Sequence, residues 1–246
     1  MGRAAAECFA SDGARVAVLA RTQSDIDETV AHLIHLGSPD ATGYRADIRV
    51  PDDLTKAFDA VGKRWGSLNV LVNVAGPDVV GTFEELSDDQ WASALDMGAM
   101  GMIRCVREAL PLLRAAEWAR IVNVSAHSTK RQTASLVAYT AAKAVVTSVT
   151  KNLSLALAED EILVNTVSPG SFATPALKGR AVRMGIDPDD PYAIMRGIAE
   201  HFGHPSHLPR AGLPEEIGPV IAFIASKRNS YMTGANVNVD GGSDFT

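Results

Sequence analysis

The sequence predicts an α/β protein built on a single doubly wound parallel sheet, and three observations carry that prediction. Short runs dense in Val, Ile and Leu alternate with longer segments of helical period. The β-rich runs show little polar alternation, as strands covered by helices on both faces should. Strand and helix follow one another in turn, which implies parallel strands joined by right-handed crossovers. With 246 residues, 46% of them apolar, and no internal repeat or Pro/Gly linker, the chain fits one domain spanning 1–246.

The opening "GRAAAECFASDGARVAVLA" reads as helix, turn and strand, with Gly13 ending the helix and the strand starting at Arg15. Further strands are predicted in "TGYRAD" from Thr42, "LNVLVNVAG" from Leu68, "RIVNVS" from Arg120, "ILVNTVS" from Ile162 and "ANVNVD" from Ala235. Helices are predicted over 24–36, 51–65, 87–116, 136–159 and 214–226. The stretch at about 175–213 is richer in Pro, Gly, His and charge and shows no strand. An insertion there, between two strands of a doubly wound sheet, is expected to cover the ligand crevice as a substrate lid, with a short helix around 192–202. One feature is odd: such a sheet needs a central strand and a glycine-rich turn before its first helix, and here the helix opens the chain.

Bulk properties narrow the function. A net charge of −6 provides no basic footprint for nucleic acid or an anionic membrane. No apolar run approaches the ~20 residues of a membrane span. The N-terminus lacks the long apolar stretch of a signal peptide, and the two cysteines, Cys8 and Cys105, match no metal spacing. The expectation is a cytoplasmic protein without nucleic-acid or membrane partners. His201, His204 and His207 recur three apart, but no Cys or carboxylate joins them at a recognised ligand spacing and Pro205 and Pro209 interrupt them, so no metal is predicted.

Several motifs carry chemistry. "YTAAK" places Tyr139 and Lys143 one turn apart on a predicted helix. A tyrosine of ordinary pKa near ~10 is a poor base at neutral pH, and a neighbouring ammonium would favour its phenolate. "NVAG" (Asn73, Ala75, Gly76) follows a buried strand, "SPGSFATP" (Pro169, Gly170, Phe172, Thr174) follows another, and "SYMTGANVNVDGG" closes the chain. Each alone is a modest signal: a plain turn, an edge strand, two amphipathic residues on a half-buried helix.

In this order and spacing, from Gly2 to Gly242, they resemble the short-chain dehydrogenase/reductase family. The resemblance implies a Rossmann-like fold binding NAD(P)(H) and interconverting a secondary alcohol and a ketone. Tyr139 would then transfer the hydroxyl proton, and Lys143 would activate it and hold the nicotinamide ribose. Asn73, Ala75 and Gly76 would line the cofactor pocket. Pro169, Gly170 and Phe172 would shape the turn under the nicotinamide, and Thr174 would bond its carboxamide. Asp47 and Ile48 match the family's adenine contact, although Asp47 would equally serve as a helix N-cap. Gly2 matches the end of the family's phosphate turn. This leads to the expectation that the first strand is missing from the sequence as given, with the native start about fifteen residues upstream. The strands from Arg15 and Leu68 would each then lack a ladder partner. A homo-oligomer, tetramer or dimer, is also implied, through the tyrosine-bearing helix and the last strand.

Two positions depart from the family pattern. The catalytic serine lies thirteen residues before the tyrosine, and 139 − 13 = 126 is Ala126. Ser128, two residues on, would supply a hydroxyl on the same side if the strand continues, while Ser125 points to the other face. The family's asparagine position is Gly98, whose main chain still offers a carbonyl if the helix bends there. Where an acidic residue would select NAD, the chain has Ala20 and then Arg21, which suits a 2′-phosphate and favours NADP(H); a solvated surface arginine is the plainer reading. The departures also leave room for a different class of function, a catalytically silent nucleotide-binding or scaffold protein.

Overall fold

A computed structural model of the chain describes residues 1–243. Its strands are β1 (Val16–Ala20), β2 (Ala41–Arg45), β3 (Val70–Asn73), β4 (Ala119–Val124), β5 (Ile162–Pro169) and β6 (Asn236–Val239). Every pairing among them is parallel. The helices are α1 (Gly2–Ser11), α2 (Gln23–His35), α3 (Pro51–Trp65), α4 (Asp88–Leu95), α5 (Gly101–Arg114), α6 (Val137–Ala156), α7 (Pro175–Arg183), α8 (Pro191–Phe202) and α9 (Pro214–Ala225). The α/β, Rossmann-like parallel-sheet fold expected from the sequence is present, as a single domain.

Two apolar layers sandwich the sheet. On one face Ala5 of α1 and Ile217, Ile221 and Ile224 of α9 pack on Val122, Val124 and Val167. On the other, Leu54 and Phe58 of α3, Met102 and Val106 of α5 and Val146 of α6 pack on Ile121 and Val164. Alternate residues of β4 thus serve opposite layers, which is why Ile121, Val122 and Val124 are all apolar.

The sheet falls into two pieces, β1–β2 and β3–β4–β5–β6, with no ladder between β1 and β3 among the described residues. A cavity of 390 Å³ lies there, bordered by Ala17, Leu19, Val70 and Val72 and by Ala6, Phe9 and Phe58 from the covering helices. The expectation that these two strands each lack a partner therefore holds for their facing edges. The sequence reading placed a first strand outside the chain; the first strand among the described residues is β1.

Two other expectations need correction. The helix predicted over 87–116 is broken: α4 passes through a π-helical turn, Asp96–Met100, into α5. The 175–213 segment contains two helices rather than one, gathered around a small core of Ala181, Ile194, Met195 and Ile198. The additional helix, α7, begins with Thr174 as N-cap and Pro175 in the first turn, a start signal obscured by the charges and glycine that follow. A bridge between Phe172 and Gly212 ties the two ends of this segment together.

The unpaired edges make a testable prediction. Val16 donates to Asp40 and Ala20 accepts from Ala46, so even-numbered residues of β1 face β2 and odd ones face the cavity. Asn69 accepts from Arg120, so odd-numbered residues of β3 face β4 and even ones face the cavity. Amide hydrogen exchange followed by NMR should find Ala17, Leu19, Val70 and Val72 exchanging about tenfold or more faster than Val18 and Leu71.

Candidate active site

The site forms where β4 and β5 end and α6 begins. Tyr139 and Lys143 lie one turn apart on α6, as their spacing implies. Lys143 is 3% exposed, and its Nζ donates to the Val124 carbonyl, the last of β4, at 2.8 Å. From the other end of the same residue, the Lys143 carbonyl accepts from Ser125 Oγ at 2.9 Å. The end of β4 thus grips Lys143 at both main chain and side chain.

Glycines make room for this arrangement. A Cβ on Gly76 would lie 2.8 Å from Lys143 Nζ, so the "NVAG" turn passes directly over the ammonium group. A Cβ on Gly98 would come within 2.8 Å of both the Ala142 Cβ and Pro77 Cδ. Gly98 stands in the π-helical turn, so the helix does bend at this position, and α6 packs too closely there for any side chain. At Gly170 a Cβ would be 2.7 Å from the Asp240 main chain, while its N–H donates to Val239.

Burial sets the proton affinities. It pushes the Tyr139 hydroxyl up to about 12, with Arg180 pulling it down and Asp78 pushing it up. It brings the Lys143 ammonium down to about 8. The expectation that Lys143 draws the tyrosine toward its phenolate is not met in this state. Desolvation dominates both groups, and the charges acting on Tyr139 are Arg180 and Asp78.

The structure places the remaining predicted residues as follows. Thr174 caps α7, its Oγ1 accepting from Leu177 N–H at 3.3 Å, which leaves its own proton available to donate outward. The carbonyl of Pro169 accepts from His127 Nδ1 at 3.1 Å, so His127 sits beside this turn, its ring edge-on to His204. Burial, with His127 nearby, lowers the His204 pKa to about 4. Asn73 donates to Asn123, which in turn donates to Thr150, so its amide braces the sheet. Phe172 is a core residue at 6% exposure and can offer a ligand only its main chain. Gly2 and Ala75 border the cavity beside β1, as does Ile48, whose side chain also packs over Gly101. Asp47 is held by Arg49 at 2.6 Å; both Arg49 and Arg21 lower its pKa, to about 2. It does not cap α3, whose N-cap is Val50.

The premise for Ser128 fails. β4 stops at Val124 and a 3-10 turn, His127–Thr129, follows, so strand alternation does not reach residue 128. Ser128 is buried, and its Oγ accepts from Thr140 at 3.4 Å. Arg180 and Asp78 escaped the sequence reading. They belong to a helix and a loop about a hundred residues apart that meet only in the fold, as an ion pair of 2.5 Å.

Comparison with known proteins identifies this arrangement. The model of the family described as enoyl-(acyl carrier protein) reductase, a short-chain dehydrogenase group, matches residues 1–244. The chain belongs to the short-chain dehydrogenase/reductase family. The match begins at residue 1 and provides no support for a shortened start. A short-chain reductase, NovJ of Streptomyces niveus, is 33% identical over 98% of this chain and 89% of its own. Meso-2,3-butanediol dehydrogenase of Serratia marcescens is 31% identical over 99% and 90%. The crystal structure of L-sorbose reductase from Gluconobacter frateurii, complexed with NADPH and L-sorbose, superposes with a TM-score of 0.91 at 25% identity, covering 100% of this chain and 92% of that one. This family member is an NAD(P)-dependent oxidoreductase acting on CH–OH groups. No helix among its described residues is long and apolar enough to cross a membrane.

Two predictions follow from the packing and burial of this short-chain dehydrogenase/reductase site. Restoring the family's asparagine with Gly98→Asn should destabilise the fold by about 1–3 kcal/mol, through overpacking against Ala142 and Pro77, as measured by urea unfolding. Lys143 provides the second. The unfolded chain keeps this proton up to the ordinary lysine pKa of 10.5, whereas the folded chain releases it near 8. Between those values the unfolded state binds more protons, so stability rises with pH. Urea titrations should show the wild type gaining stability relative to Lys143→Met across that window, a difference that removes the opposing contributions of Cys105 and Tyr139, whose pKa values burial raises.

Proposed function

We propose that the chain is an NADP(H)-preferring enzyme that interconverts a secondary alcohol and a ketone, with Tyr139 as the proton-transfer group. The observation that carries this reading is the Tyr139–Lys143 pair on α6, anchored at the carboxyl end of β4, whose neighbour β5 leads into the Gly170–Thr174 turn. Ligands of open parallel sheets bind at this rim.

The residues present fit a nicotinamide nucleotide. Gly170 lets the turn after β5 pack closely against Asp240, and the free Thr174 hydroxyl proton suits a carboxamide oxygen. Lys143 Nζ has donors to spare for ribose hydroxyls beyond the one given to Val124. Ile48 and Ala75 border the cavity beside β1 and, with Asp47, would contact the adenine; Gly2 at the start of α1 would meet the pyrophosphate. Arg21 is exposed, close enough to act on Asp47, and has no acidic residue at the preceding position, Ala20. That environment suits a 2′-phosphate, and two similar solved structures, the sorbose reductase and an actinorhodin polyketide ketoreductase, are complexes with NADPH.

When bound, the nicotinamide supplies a hydride to the ketone or accepts one from the alcohol. Tyr139, with its pKa near 12, stays protonated at neutral pH and donates that proton to the oxygen of a reduced ketone. The Lys143 ammonium stabilises the phenolate left behind until solvent returns a proton. Ser128 is the hydroxyl assigned to the substrate oxygen, which requires it to exchange its long bond with Thr140 for a bond to substrate. The 175–213 segment serves as the lid. Assembly into a homo-oligomer through α6 and β6 agrees with Leu155, a 72% exposed apolar residue on α6, and with β6 as a sheet edge.

The test combines fluorescence titration with NADPH and turnover of a panel of secondary alcohols and ketones. Tyr139→Phe should lose turnover by about 10²-fold or more while binding NADPH within about threefold of wild type. Arg21→Ala should weaken NADPH about tenfold and leave NADH unchanged. Binding of NADPH without turnover by the wild type would favour the silent scaffold instead.

A further inference from the structure

The lid carries a cation for which the proton-transfer mechanism has no use. Arg180 on α7 reaches across the mouth of the crevice to Asp78, in the loop after β3. The two partners are unlike: the Arg180 side chain is 23% exposed and that of Asp78 is 72% exposed. The Arg180 guanidinium carbon lies 5.6 Å from the centre of the Phe202 ring of α8, so an aromatic face backs the cation and holds it in place. Its hydrogen-bonding edge is turned to a carboxylate. Asp78 stands two residues past Gly76, the glycine that lies against Lys143 Nζ, and both charges of the pair act on the Tyr139 hydroxyl, in opposite senses.

We propose that Arg180 anchors a carboxylate on the substrate, so that the enzyme acts on hydroxy acids and the corresponding oxo acids, whose carboxylate takes the place of Asp78. This assignment of substrate class rests on the oxidoreductase reading above. Asp78 is a fitting placeholder. An ion pair with a mostly exposed partner is weak, because water and salt screen it and the side chain loses freedom in forming it. A substrate carboxylate that is also held by contacts along its carbon skeleton pays less of that entropy and displaces it. The planar guanidinium matches a carboxylate with two parallel N–H donors. The nearby Lys178 is paired with Asp189 within the same segment, whereas Arg180 pairs across to the loop after β3.

The experiment compares aliphatic and cyclic hydroxy acids, each beside its methyl ester, in the presence of NADP⁺. The proteins are wild type, Arg180→Met, Arg180→Lys and Asp78→Asn; methionine retains an apolar stem against Phe202. Wild type should show a KM for the acids at least tenfold below that for the esters. Arg180→Met should erase the difference by raising the acid KM while the ester KM stays within about twofold, any change in kcat that comes through Tyr139 falling on acids and esters alike, and Arg180→Lys should restore part of the KM difference. Asp78→Asn should lower the acid KM several-fold, because the competitor is gone. Equal losses on acids and esters in Arg180→Met would reduce Arg180 to a lid contact and overturn the proposal, as would a wild type indifferent to the charge. Thermal-shift titration with the same acids and esters judges the anchor without turnover. If nothing is turned over, the Tyr139 mechanism fails. Stabilisation by acids of wild type but not of Arg180→Met still supports the anchor, and equal shifts in the two proteins overturn it.

Discussion

The site depends on one buried hydrogen bond, from the Lys143 ammonium to the carbonyl of Val124. An ammonium at 3% exposure pays heavily for lost hydration, and its pKa falls to about 8 for that reason. It stays there because the chain end of β4 offers a carbonyl and Gly76 leaves the volume that the ammonium occupies. A side chain at residue 76 or 98 would push on Lys143 directly or move α6. The alanine before Lys143, the glycine in the π-helical turn and the glycine of the "NVAG" turn are therefore one packing problem with a common solution. That solution fixes the start of α6, which carries Tyr139 one turn earlier.

The same burial explains the chemistry. Spacing alone suggests that Lys143 lowers the tyrosine's pKa, but desolvation moves the two groups in opposite directions, the phenol up and the ammonium down. In this state Tyr139 is an acid waiting for an acceptor. The charges that act on it come from α7 and the loop after β3, Arg180 and Asp78, so the position of the 175–213 segment and the proton affinity of Tyr139 are linked through an ion pair.

Much of this was legible in residue order. The β-rich runs, the Tyr-Lys spacing and the Pro-Gly turn after β5 all landed where local rules place them, because they reflect periodicity and turn chemistry within a few residues. Less was legible where a segment answers to distant neighbours. The helix from Ser87 looked continuous because its π-helical break is imposed by Ala142 and Pro77, not by its own propensities. Ser128 looked like the next strand position because nothing in "NVSAHST" signals that β4 ends at Val124 and turns. Phe172 looked like a cofactor contact, but the apolar layer of α9 claims its ring.

By itself the sequence determined the class of fold, the order of its elements and the placing of Tyr139 and Lys143 one turn apart on a helix, because each is encoded in spacing of two to four residues. Tertiary structure alone decided how strongly that pair holds its protons, which hydroxyls remain free, and that Arg180 meets Asp78 over Tyr139. Desolvation and ion pairing depend on which surfaces come together, and those surfaces are brought together by chain segments too far apart for local pattern to connect.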